Sequence, residues 1–222
     1  MIDPHVHCRD GNQSYKETIM HVFSVADKQG VKKIFDMPNT DPPITTKADV
    51  IKRLGLVPIN RKNDYFLYIG ATSDEKQLED AVKCHDEYNE IIGIKLFAGR
   101  SVGNLTVTEK EDQFNIYKTL SEIGYKGVLA VHCEKEEFIN DTKWDPINPS
   151  THCVARPKLA EIESIKDQIE LVKRTGFSGN LHVCHVSCPE TIEIIDKARE
   201  EMKITCGVTP HHILWNNNLL EG

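Results

Sequence analysis

A parallel α/β fold, with strands and helices alternating and the strands curling toward a barrel, is what this sequence predicts. Short runs rich in β-branched and aromatic residues recur at the spacing of βα units, and amphipathic stretches of helical period separate them. Polar side chains able to bind metal stand near the carboxyl ends of the first, fourth, fifth and sixth runs, and in a parallel barrel those ends converge on one mouth. The length of 222 residues suits one large domain.

The first strand carries Asp3-Pro4-His5-Val6-His7-Cys8-Arg9. Alternation along a strand puts His5 and His7 on one face, where two neutral imidazoles can clamp a metal ion. Alone, such a pair is more often packing than ligation, so its meaning depends on the rest of the chain. A helix is expected over Ser14 to Gln29, with apolar Ile19, Val22, Phe23 and Ala26 at helical spacing and Gly30 as its stop. The second strand is expected over 31–37, and Asp41-Pro42-Pro43 marks a loop before a helix beginning near Lys47. The third strand is expected over 65–72, followed by a helix through Leu78 and Val82.

The fourth strand, 91–97, holds Lys95 inside an apolar run. Either the amine reaches the strand end and water, or it sits buried, where a charge is costly unless neutralised. A neutral amine there could react with CO₂ to give a carbamate, whose two oxygens can bridge metal ions. The fifth strand, 127–134, ends on His132, the sixth, 180–187, carries His185, and the seventh, 203–209, runs into Pro210-His211-His212. Asp141 to Arg156 is expected to be loop, as is the glycine-containing stretch from Ala98 to Asn104.

Composition excludes several classes of function. The net charge of -7, with no basic stretch to offset it, argues against a general binder of nucleic acid or anionic membranes. No apolar run is long enough to span a bilayer and the opening Met1-Ile2-Asp3 has no secretory pattern, so a cytosolic location is expected. Seven cysteines, odd in number and scattered through apolar segments, suit reduced thiols.

Taken together, DPHVHCRD at 3–10, DMPNTDPP at 36–43, GIKLFAG at 93–99, VHCE at 131–134, RPKLAE at 156–161, CHVS at 184–187 and CGVTPHH at 206–212 resemble the amidohydrolase superfamily and, within it, the dihydroorotases. The resemblance implies a TIM-type (β/α)₈ barrel of the metal-dependent hydrolase kind, about seven of whose eight strands are present. It implies a single barrel domain over 1–222, with no amino-terminal β-sandwich domain. The same resemblance implies that His5 and His7 would hold one divalent ion and His132 and His185 a second, zinc being the metal expected, with carbamylated Lys95 bridging them. Arg9 and Asn39 match positions that grip a substrate carboxylate, which an Arg fork and an amide suit physically. The implied reaction interconverts dihydroorotate and N-carbamoyl-L-aspartate in pyrimidine biosynthesis.

Cys184 resembles a further metal-binding thiol of some relatives, but Gly207 stands where those carry a Glu, so Cys184 is read as a small buried residue. The family's catalytic Asp, borne on an eighth strand, has no counterpart after the seventh here, so the chain is expected to be an amino-terminal fragment or a barrel incomplete at its carboxyl side. Two other readings go with the resemblance. One is a different cyclic-amide hydrolase, of allantoinase or dihydropyrimidinase type. The other is a non-catalytic homologue that binds aspartate carbamoyltransferase; a homo-oligomer is a further expectation.

Overall fold

The computed structural model describes residues 1–101 and 104–220. Its seven strands are β1 (Ile2–Val6), β2 (Lys33–Asp36), β3 (Tyr65–Gly70), β4 (Ile91–Ala98), β5 (Val128–Cys133), β6 (Asn180–Val183) and β7 (Ile204–Cys206). They form one sheet in chain order, every pair parallel. The helices are α1 (Ile19–Lys28), α2 (Lys47–Gly55), α3 (Glu75–Glu87), α4 (Lys110–Ile123), the short α5 (His152–Ala155), α6 (Lys158–Thr175), α7 (Pro189–Ala198) and α8 (Pro210–Leu214). The sheet curls, because His5 on β1 meets His185 just past β6 with ring centroids 5.2 Å apart. Among the described residues β1 and β7 do not pair with each other.

Alternation along the strands sorts their side chains. Tyr65, Leu67 and Ile69 of β3, with Leu181 and Val183 of β6, are fully buried in the larger apolar cluster shared with the helices. The intervening positions face the concave side, where Met37, Tyr68, Ala130 and Cys184 make a smaller cluster bordered by Phe35, Ile92 and Val128. Lys95 and His132 point the same way, in register with Ala130 and Phe97 of the neighbouring strands. Period two therefore divides a core that holds the fold from a face that carries chemistry.

Several boundaries differ from those expected. The first helix starts at Ile19, not Ser14: a 3₁₀ turn occupies Gly11–Gln13, and the extended Thr18 caps the helix by accepting from the His21 amide at 3.2 Å. Its stop is as expected, Gly30 taking φ +70° just beyond it. The second helix begins at Lys47 because Thr46 and Asp49 form a reciprocal capping box. Strands β2, β3, β5, β6 and β7 are shorter than the runs expected for them, while β4 extends one residue further, to Ala98. The sixth ends at Val183 because His185, at φ 39°, turns the chain out of the ladder, and the seventh ends with the last register pair, Val183 to Cys206. The stretch from Asp141 to Arg156 is not wholly irregular, since it holds 3₁₀ turns at Asp141–Lys143 and Pro149–Thr151 followed by α5. Asn140 and Asn148 cap those turns. The expected loop from Ala98 to Asn104 includes residues 102 and 103, which lie outside the described residues.

Candidate metal centre

Four of the expected ligands come together as a chain of imidazoles. His5 lies in β1 and His7 is the first residue past its end, their ring centroids 5.2 Å apart. His5 packs on His185 at 5.2 Å, and His185 packs on His132 of β5 at 5.0 Å. His132 Nδ1 lies 3.1 Å from His185 Nε2, so one of these rings donates and the other accepts. His132 Nε2 is buried without a hydrogen-bond partner, 3.5 Å from Glu134 Oε2.

Lys95 is buried completely and does not reach water. Its Nζ lies 2.9 Å from Cys184 Sγ and 4.9 Å from the centroid of the Phe97 ring. Cys184 is thus small and buried, as the sequence predicts, and it is also the amine's hydrogen-bonding neighbour. Arg9 and Asn39 meet as well, Arg9 Nη1 donating to the Asn39 carbonyl at 2.9 Å. The Asn39 side chain is almost wholly buried, and its Oδ1 lies 2.8 Å from His7 Nδ1. The structure therefore places Asn39 against a proposed ligand, an arrangement that fixes the ring's tautomer and direction.

Electrostatics favour neutral rings. Burial drives the His5 imidazole far below its ordinary pKa, with Lys95 and His7 adding to the effect. Burial also brings His7 down to about 4, with Arg9 next in size, and His185 to about 3, with Lys95 next. Glu134 is half-buried, which alone would raise its carboxyl, but His132 and Arg156 beside it hold it below the usual carboxylate range. Among the described residues no three His, Cys, Asp or Glu side chains already converge as a finished ligand set. The donors nonetheless fit a divalent ion. Imidazoles must be unprotonated to ligate, which is the state that burial favours at His5, His7 and His185, and His132 Nε2 is a buried nitrogen without a hydrogen-bond partner.

Three features escaped the sequence reading. His182, three residues before His185, also faces the concave side; burial and Lys95 lower it to about 4, and its Nδ1 lies 2.9 Å from Thr205 Oγ1. The alternation of buried Leu181 and Val183 around it was the available signal. Glu161, quoted only as part of RPKLAE, accepts from the Ser187 amide at 3.0 Å and from the Thr191 hydroxyl at 2.8 Å, so it ties down the turn that carries His185. On the other side of the site, Arg9, Asp10 and Gly11 have φ of 50°, 55° and 53°. Asp10 combines this with ψ of -169°, a conformation that costs a non-glycine residue on the order of 1–3 kcal/mol.

No family model matches the chain. It is 29% identical to a dihydroorotase of Methanosphaera stadtmanae over 229 aligned residues, covering 100% of this chain and 49% of the relative. It is 31% identical to a dihydroorotase of Pyrococcus horikoshii, covering 96% of this chain and 43% of the relative. The chain thus spans about half the length of the curated relatives it matches. Among solved structures, the L-hydantoinase (dihydropyrimidinase) of Arthrobacter aurescens superposes with a TM-score of 0.81 at 24% identity, over 98% of this chain and 48% of that one, a likeness of fold. With dihydroorotases aligned along its whole length and a hydantoinase sharing its fold, the chain is, over the span it covers, similar in sequence to the dihydroorotases.

Proposed function

We propose that this chain serves the reversible opening of dihydroorotate to N-carbamoyl-L-aspartate, with two divalent ions held by His5, His7, His132, His185 and a carbamylated Lys95. The observation that carries the reading is the convergence of four imidazoles, at ring separations of 5.0 to 5.2 Å, beside a lysine with no exposed surface. When bound, such ions supply Lewis-acid polarisation of the scissile amide and a water of lowered pKa.

The chain's own residues supply the rest. Lys95 as a neutral amine adds to CO₂, forming an N–C bond and releasing one proton, and the carbamate brings negative charge to a cluster of otherwise neutral donors. Asn39, through its bond to His7 Nδ1, leaves Nε2 of that ring for ligation. Arg9, half-buried at the same rim, offers a guanidinium to the substrate carboxylate. Zinc as the metal, a place in pyrimidine synthesis and a cytoplasmic location belong to the same reading, whereas association with aspartate carbamoyltransferase belongs to the non-catalytic one.

The test is a substrate panel on the chain loaded with Zn²⁺ or Co²⁺. Dihydroorotate is expected to turn over faster than allantoin or dihydrouracil, and the reverse order would transfer the chain to another cyclic-amide hydrolase. Lys95→Ala is expected to abolish turnover, with partial return on adding a small carboxylic acid. An unimpaired Lys95→Ala variant would remove the carbamate from the mechanism.

A further inference from the structure

Behind the site, on the helix-facing side of β2, lies a buried polar cluster that the reaction does not touch. Asp36 and Tyr65 are fully buried and Arg53, from α2, is nearly so. Asp36 Oδ2 accepts from Arg53 Nε at 3.0 Å, Arg53 Nη2 at 2.6 Å and the Tyr65 hydroxyl at 2.6 Å. The other oxygen, Oδ1, accepts from the backbone amide of Cys8 at 2.9 Å. Arg53 Nη1 donates to the backbone carbonyl of Arg9 at 2.9 Å and lies 3.4 Å from Asp10 Oδ2.

A buried ion pair is weak support for stability, because well-packed apolar side chains of similar volume usually do as well. What this pair does that apolar residues could not is hold main-chain atoms of residues 8 and 9, between the proposed ligand His7 and the proposed carboxylate grip Arg9. Those atoms border the left-handed run at Arg9, Asp10 and Gly11, which relaxes toward ordinary φ values unless something holds it.

We infer that Asp36 and Arg53 are positioning residues: from the far side of β2 they clamp the segment after β1 and so set the directions of His7 and Arg9. The inference rests on the proposed roles of those two side chains, and the test separates its failure from theirs. The main variant is the double substitution Asp36→Leu with Arg53→Met, which removes both charges together and so avoids a lone buried charge. Arg53→Lys is the second variant, keeping a cation but losing the fork that reaches Asp36 and Arg9 at once. Tyr117→Phe, which breaks the remote buried bond from Tyr117 to Gln168, serves as a control for a merely structural loss.

Two readouts are taken on the full chain: amide hydrogen exchange at Cys8 and Asp10, and Co²⁺ affinity from the cobalt absorption spectrum. In the double variant and in Arg53→Lys those amides are expected to exchange about tenfold or more faster than the amides of α4 and α6 in the same protein, a comparison that removes the global stability the double variant loses when the Cys8 amide and the Tyr65 hydroxyl are left without Asp36. Co²⁺ affinity is expected to fall roughly 10–100-fold, as for other groups that orient ligands from behind. Tyr117→Phe is expected to move neither readout. Unchanged exchange at Cys8 and Asp10 in the double variant would overturn the inference, as would unchanged affinity in a chain that binds cobalt. Should the parent chain bind no Co²⁺, the proposed metal centre fails, and the exchange result alone decides for or against the clamp.

Discussion

An amine sealed from water with a thiol and a phenyl ring as its neighbours is an expensive arrangement, and Lys95 is that residue. Lys95→Met keeps the volume and removes the polar group, so in the metal-free chain it is expected to raise stability by about 1–3 kcal/mol in urea denaturation. A loss of stability would mean that the amine already has a partner worth more than its burial. The histidines carry the pH dependence. His7, His182 and His185 lie at about 4, 4 and 3 in the fold, against about 6.5 in an unfolded chain. Between these values the unfolded chain takes up protons that the folded chain refuses. Their contribution is therefore complete above about pH 6.5 and is lost as the pH falls toward 4. Denaturation of the metal-free chain at a series of pH values should show this slope, and His182→Gln should flatten it. Arg9→Lys should weaken substrate binding and leave metal content unchanged, because lysine cannot reproduce the bidentate fork.

At the level of single elements, the sequence spoke most clearly where a local rule decides. The start of α2 was expected near Lys47 from the loop at Asp41-Pro42-Pro43, and Thr46 and Asp49 fix it there by satisfying each other's backbone groups within one turn. Thr46→Ala is expected to cost about 1 kcal/mol by chemical denaturation, without change at the remote candidate metal centre. Lys95 and His132 were legible because each interrupts an apolar run near its carboxyl end, and His5 because it alternates with His7 along the first strand. What stayed hidden depends on contacts between distant segments. Asp36 reads as a carboxylate near a strand end, but alternation with Ile34 turns it to the helix side, where its partner Arg53 arrives from another element. Strand ends were over-extended for a related reason: a run stays apolar after the ladder has stopped, and only the left-handed turn at His185 marks the break.

For the molecule as a whole, the fold class followed from periodicity, and the chain order of the seven strands is the one a parallel barrel requires, which the metal-capable side chains at successive strand ends had implied. The concave face did not follow from either. Among the described residues β1 and β7 remain unpaired with one another, so inward-facing positions such as Phe35, Phe66, Asn180 and His182 are only half-buried. The contact of His5 with His185 joins the first strand to the far side of the sixth. Every intermediate strand must add before those rings can meet, and closing so large a loop carries an entropic penalty that local helices and neighbouring strand pairs avoid. The site is therefore expected to be the last part of the molecule to come into being. On refolding from denaturant with Co²⁺ present, the far-ultraviolet signal of helices should recover first and the cobalt absorption afterwards, the delay being the time the sheet takes to curl.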